Sequence, residues 1–115
     1  MPTRHRQRDV IFAVVDGLLE RTVRFPAEGR GYTHRCRREV FETVAYRIEE
    51  HADEGITLDP LAKGEDLPLT QVSVALDFMK ERGCVVTRRR RTFPASDALF
   101  EDAMTEFMYL AEAPR

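Results

Sequence analysis

The stretch Leu58 to Phe93 most constrains what this chain can fold into, because two helix signals, a stop and a β signal follow one another there without a gap. Asp59-Pro60 predicts a helix start. The carboxylate can accept from free first-turn N–H groups, and proline at the first helical position gives up no hydrogen bond. Leu61 and Ala62 would face inward, and Gly64-Glu65-Asp66 would end this short helix. Leu67-Pro68 opens a second helix in which Val72, Ala75, Leu76 and Met79 follow the i, i+3, i+4, i+7 spacing of one buried face. Gly83 suits the left-handed position just past its end, with Lys80 and Arg82 in the last turn, where cations complement the helix dipole. Cys84 to Thr87 have strand character, which puts Arg88 to Arg91 at the tip of a short ribbon.

The flanks carry their own patterns. Asp9–Glu20 is apolar at Val10, Ile11, Phe12, Val14, Val15, Leu18 and Leu19. Its length and the apolar pairs four apart predict a helix over 9–21 that must be covered on two sides, while its β-branched pairs leave a strand open for part of it. Thr22 to Thr33, with Pro26, Gly29 and Gly31, reads as a loop with short strands at Thr22–Phe25 and Tyr32–His34. Arg35–Asp53 predicts a helix with Cys36, Val40, Phe41, Val44, Ala45 and Ile48 on one stripe, stopped by Gly55. Ser96 or Asp97 can cap a last helix, Asp97–Ala111, with Leu99, Phe100, Ala103, Met104, Phe107 and Met108 on its apolar side.

The register of Leu61-Ala62, Leu67, Val72, Ala75-Leu76, Met79, Gly83 and Val85 resembles the winged helix-turn-helix superfamily of bacterial and archaeal transcription regulators. The resemblance covers the middle third of the chain tightly and is specific for the fold rather than for one subfamily. It implies a mainly α fold with a small β-hairpin (α+β), formed as a single domain over 1–115 with a winged-helix core at 34–93. The Arg35–Asp53 helix would be the first of that core, and Ile56-Thr57 a short strand pairing with the wing. The flanking helices 9–21 and 97–111 would be dimerisation elements. It also implies a recognition helix at 69–82 whose Thr70, Gln71, Ser73 and Val74 face a DNA groove. Glutamine can bond adenine bidentately, threonine and serine donate or accept, and a valine can touch a thymine methyl. The wing at 84–93 would bring Arg88, Arg89, Arg90 and Arg91 to the backbone. The chain departs from the family pattern in three ways. Its second helix has no Arg or Lys in the first two turns, Asp77 would sit near a polyanion, and Pro68 stands where relatives place a Ser or Thr cap.

Charge distribution bears on the partner. The net charge of −2 does not suggest a polyanion binder, yet the arginines segregate. Arg4, Arg6 and Arg8 form a possible basic arm, Arg35, Arg37 and Arg38 precede the long helix, and Arg88–Arg91 form the tip. Acids collect at Glu49, Glu50, Asp53 and Glu54 and again at Glu101, Asp102, Glu106 and Glu112. Such a dipolar surface can present one basic face, and a solvated surface of mixed charge is the bland alternative.

Several classes are disfavoured. Two cysteines in 115 residues make no disulfide framework, and no apolar run approaches a bilayer span, so a reducing cytoplasm is expected. His34, Cys36, Cys84, His51 and His5 show no zinc spacing, and the two thiols read as buried and inert, so no metal or cofactor is expected. No phosphate loop, nucleophile elbow or catalytic His pairing occurs, which argues against an enzyme. The leading expectation is a small dimeric regulator that binds double-stranded DNA, with no membrane association and any small-molecule effector unknown. A winged-helix module for protein–protein interaction or assembly is the alternative. A third possibility is an apolar effector in a dimer cleft, motivated by Met104, Phe107 and Met108.

Overall fold

Val15-Asp16-Gly17-Leu18 decides the architecture of the first third of the chain. In the structure, a computed structural model describing residues 7–113, Asp16 and Gly17 have φ of 53° and 79°. Two successive left-handed residues between extended segments make a tight two-residue hairpin, and Asp-Gly is among the pairs that take it most readily. The chain therefore runs as strand β1 (Asp9–Val15), reverses, and returns as β2 (Leu18–Phe25). A single 3-10 turn, Pro26–Glu28, leads into β3 (Arg30–Arg37). The three form an antiparallel sheet in the order β1-β2-β3. The helix expected over 9–21 is thus a correction, since the two local left-handed residues and the alternation of β2 outweigh the apolar content. The short strands expected at Thr22–Phe25 and Tyr32–His34 lie within β2 and β3.

The rest follows the expected order with shifted boundaries. Helix α1 spans Arg38–Glu50, α2 spans Leu58–Gly64, and α3 spans Leu69–Glu81. A hairpin of β4 (Val85–Arg88) and β5 (Arg91–Pro94) precedes α4 (Leu99–Glu112). Arg35, Cys36 and Arg37 end β3 rather than begin α1, so Cys36 faces the core from the sheet and not from a helix stripe. Asp59 does not cap α2, which begins at Leu58, two residues before the expected Pro60, with Thr57 at its N-cap. Ser96 accepts from the Ala98 N–H at 3.2 Å and donates to Asp102 at 2.6 Å, anchoring the start of α4. The whole is α+β with two antiparallel sheets. At 47% helix and 30% strand it is less helical than the expected mainly-α fold.

Alternation in β2 sends Leu19, Arg21, Val23 and Phe25 to the face that the helices cover, paired with Cys36, His34, Tyr32 and Arg30 of β3. Helix α3 lies against β3 and β2, while α4 packs against α1 and β1. Phe78 sits at the junction, fully buried. Its ring lies edge-on to Phe12 of β1 at 5.4 Å and to Phe41 of α1 at 5.8 Å, and Phe41 in turn meets Phe107 of α4 at 5.1 Å. Phe78 and Phe41 together therefore tie the sheet to three helices. Helix α1 ends at Glu50, short of the expected stop, and Gly55 (φ 75°) ends the turn that follows, its N–H donating to the His51 carbonyl at 2.8 Å and its Cα lying beside the Phe93 ring, where a Cβ would come within 2.7 Å. Beyond it, Ile56 bridges Thr92, its N–H donating at 3.0 Å and its carbonyl accepting at 2.8 Å, which fastens the β4–β5 hairpin to the body.

Removing Phe78 should loosen the sheet from the helices as well as leave a cavity. Phe78→Ala is expected to cost about 3–5 kcal/mol, read as a lower urea midpoint. An exposed-site control such as Tyr109→Ala should stay within about 0.5 kcal/mol of the parent.

Candidate nucleic-acid interface

The β4–β5 hairpin is built to hold arginines outward. Its register pairs Arg88 with Arg91, leaving Arg89 and Arg90 as the two turn residues. Both have positive φ, 49° and 68°. A non-glycine residue in that region costs about 1–2 kcal/mol, and this type of turn favours Asn-Gly over a pair of arginines. The flanking arginines are positioned by their neighbours. The Arg88 guanidinium lies 4.6 Å from the Phe93 ring centroid, and Arg91 Nη1 reaches the carbonyls of Glu54 and Gly55 at 3.4 Å each. All four are exposed, and among the described residues none pairs with a carboxylate. Beside the hairpin an open cleft of about 200 Å³ runs along α3, lined by Ser73, Asp77, Lys80, Thr87 and Arg90 among others. Two cations and three hydroxyls, Thr92 among them, therefore share its walls with one carboxylate.

The outer side of α3 differs from the expectation. Val74 has no exposed surface. It belongs to the core beneath the sheet and cannot reach a groove from there, which corrects its placement as a base-contacting residue. Ser73 and Asp77 are half-buried and both bonded to Arg21 of β2. Arg21 Nη1 donates to Asp77 Oδ2 at 2.5 Å and to Ser73 Oγ at 3.2 Å, while Nη2 donates to His34 Nδ1 at 3.1 Å. Arg21 is 8% exposed and its Nε finds no partner among the described residues. Gln71 is occupied as well, since its Oε1 accepts from the Arg37 N–H at 3.0 Å. Thr70 is exposed beside Leu69 at the start of the helix. The structure thus brings Arg88–Arg91 together and leaves Thr70 open, but it engages Gln71 and Ser73 with the sheet.

This sheet contact is what the sequence reading missed. Asp16-Gly17 between two apolar runs was the signal for it, and the alternation of β2 would then have turned Arg21 toward the helices. The Arg4 and Arg6 part of the expected basic arm lies outside the described residues, and Arg8 is exposed ahead of β1. Among the described residues no three potential metal ligands cluster. No described helix is long and apolar enough to cross a membrane. A second concavity, of about 540 Å³, opens on the sheet near Arg24, Phe25 and Tyr32, and no hairpin residue lines it. No protein-family model, curated protein or solved structure matches the chain.

Both cysteines are free and buried. Burial pushes the Cys36 thiol from 9.0 up to about 12, against the lowering effects of Arg37 and of a backbone hydrogen bond from Phe41. Cys84 is raised too, by burial first and then by Glu106 and Asp102. A raised thiol stays neutral in the fold while the unfolded chain's thiol ionises, so the stability contribution is intact below pH 9.0 and is lost as pH rises toward 12. Neither thiol should label with a disulfide reagent at neutral pH until urea is added. A stability profile falling above pH 9.0 should flatten in Cys36→Ala.

The Arg21 cluster gives a second expectation. Asp77→Ala leaves a buried guanidinium without its carboxylate. Because the Asp77 side chain is 46% exposed, water offsets part of that loss, and a cost of about 1–3 kcal/mol in urea unfolding is expected. Adding Arg21→Met should recover much of it.

Proposed function

We propose that this chain is a winged-helix nucleic-acid-binding protein that grips double-stranded DNA chiefly through the Arg88–Arg91 hairpin, acting as a small dimeric transcriptional regulator. The observation that carries this reading is the turn. Two arginines occupy left-handed positions where Asn-Gly would be relaxed, and no carboxylate among the described residues neutralises them. Local strain of this kind persists where the surroundings impose it, and it clusters at sites that do work. Bringing two guanidiniums to an exposed tip gains nothing for folding, but it suits phosphate contact and insertion into a narrow minor groove. The order helix, single-residue bridge, helix, helix, hairpin, with Ile56 bridging Thr92, supports the winged-helix part of the reading.

The mode of binding differs from helix insertion. With Val74 buried and Gln71 and Ser73 held by the sheet, base readout through α3 is confined to its exposed start at Thr70. Affinity would then come from phosphates and from DNA shape. The alternative, a winged-helix module for protein–protein interaction, is favoured by one observation: the sheet occupies the side of α3 that a groove reader would leave bare. Capture of a protein partner that survives high salt and nuclease would support it.

A salt titration of binding to random-sequence duplex DNA, followed by fluorescence anisotropy, tests the first reading. Steep loss of affinity with salt is expected, and Arg88–Arg91→Ala should reduce the log–log slope by roughly 3.6 if all four meet phosphates. Replacing only the turn separates strain from function. Arg89→Asn with Arg90→Gly should raise stability by about 1–2 kcal/mol while weakening DNA binding. If binding is absent at low salt, or the turn variant binds as tightly as the parent, the hairpin is not a DNA contact.

A further inference from the structure

Strand β1 is an edge that the sheet leaves unguarded. Its one strand neighbour is β2, and among the described residues no strand pairs along its other side. A free edge presents unpaired N–H and C=O groups, which natural sheets blunt with charged residues, proline or bulges. The opposite edge is blunted in this way. β3 carries Arg30, His34, Arg35 and Arg37, and the Arg37 N–H is already bonded to Gln71. Within β1, by contrast, the sequence after Asp9 is Val-Ile-Phe-Ala-Val-Val, with no bulge in its register against β2. Val10 and Ile11 are 41% and 49% exposed, one on each face of the strand by alternation. Helix α4 packs against β1 and Phe12 meets Phe78 of α3, so the chain's own elements cover the inner face at Phe12 and Val14, while no strand among the described residues pairs with the edge.

We infer that two copies of this chain join β1 to β1, antiparallel, across a two-fold axis at Phe12, giving one six-stranded sheet. The charges flanking the strand select a second copy as its occupant. About Phe12, Ile11 faces Ala13 of the second copy, Val10 faces Val14, Asp9 faces Val15, and Arg8 faces Asp16. Symmetry repeats every contact, so the apolar centre is closed at both ends by an opposite-charge pair just beyond the paired strands, the long Arg8 side chain ahead of β1 reaching Asp16 of the other copy's hairpin turn. A slip of two residues one way sets Arg8 against Val14, and the other way carries it past the hairpin turn, where β1 offers it no partner. A slip of one turns the apolar set of one copy to the wrong face. Both Arg8 and Asp16 are exposed in the single chain. Strand addition of this kind takes its affinity from main-chain hydrogen bonds and its register from the side chains that flank them. It rests on β1 alone and is independent of how the hairpin binds nucleic acid.

Sedimentation velocity over a wide concentration range tests the pairing. The parent chain is expected to sediment as a dimer. Ile11→Lys, which adds a guard charge at an exposed position, is expected to be monomeric with an unchanged circular dichroism spectrum. Register is read separately by mixing the single variants Ile11→Cys and Ala13→Cys under mild oxidation. A cross-linked dimer containing one of each is expected, well above the yield from either variant alone. The native Cys36 and Cys84 are buried and should stay out of the reaction. If Ile11→Lys unfolds, the mixed cross-link decides alone. A parent chain that stays monomeric throughout overturns the inference, as does a dimer that survives Ile11→Lys and yields no mixed cross-link.

Discussion

The contact on which the rest of this structure depends is the packing of the N-terminal sheet onto α3. Its apolar part is the Phe12–Phe78–Phe41 chain of edge-on rings, and its polar part is Arg21 spread over Asp77, Ser73 and His34. The rings contribute burial and edge-to-face geometry. The arginine contributes orientation, since a guanidinium this enclosed is tolerable only where its partners are placed. Together they convert α3 from a helix with one buried stripe into one enclosed on most of its circumference.

That enclosure moves the weight of any nucleic-acid contact onto the hairpin. On the winged-helix reading proposed above, a helix would specify bases and a wing would add backbone affinity. In this chain Val74, Gln71 and Ser73 of α3 are committed to the fold, while the hairpin displays four arginines that pair with no carboxylate among the described residues, two of them at strained turn positions. Phosphate contacts position a protein and supply salt-dependent affinity, and they do not by themselves carry sequence information. A protein built this way would read the duplex through its shape and charge, with sequence preference arising from groove width and deformability.

Much of the chain was legible from its sequence. The run from Leu58 to Phe93 folds as its spacing indicates, because each signal there is local: a 3.6-residue apolar period, a glycine past a helix end, β-branched residues before a polar tip. The arginine hairpin was legible for the same reason. The first third was not. Asp9–Glu20 is apolar enough to satisfy helix and strand templates alike, and such a run is arbitrated by its punctuation rather than its period. Asp16-Gly17 was that punctuation.

The sequence by itself determined the two-helix motif and the hairpin with its four arginines. These depend on neighbours a few residues away, and the chain carries those neighbours wherever it folds. Only the tertiary structure decided that Val74 is core and that Gln71 and Ser73 are spoken for. Their partners, Arg37 and Arg21, lie 34 and 52 positions earlier, and no periodicity within α3 can report what another element will lay across it. A residue's spacing tells which side of a helix it occupies. Whether that side meets water, DNA or a sheet depends on long-range packing.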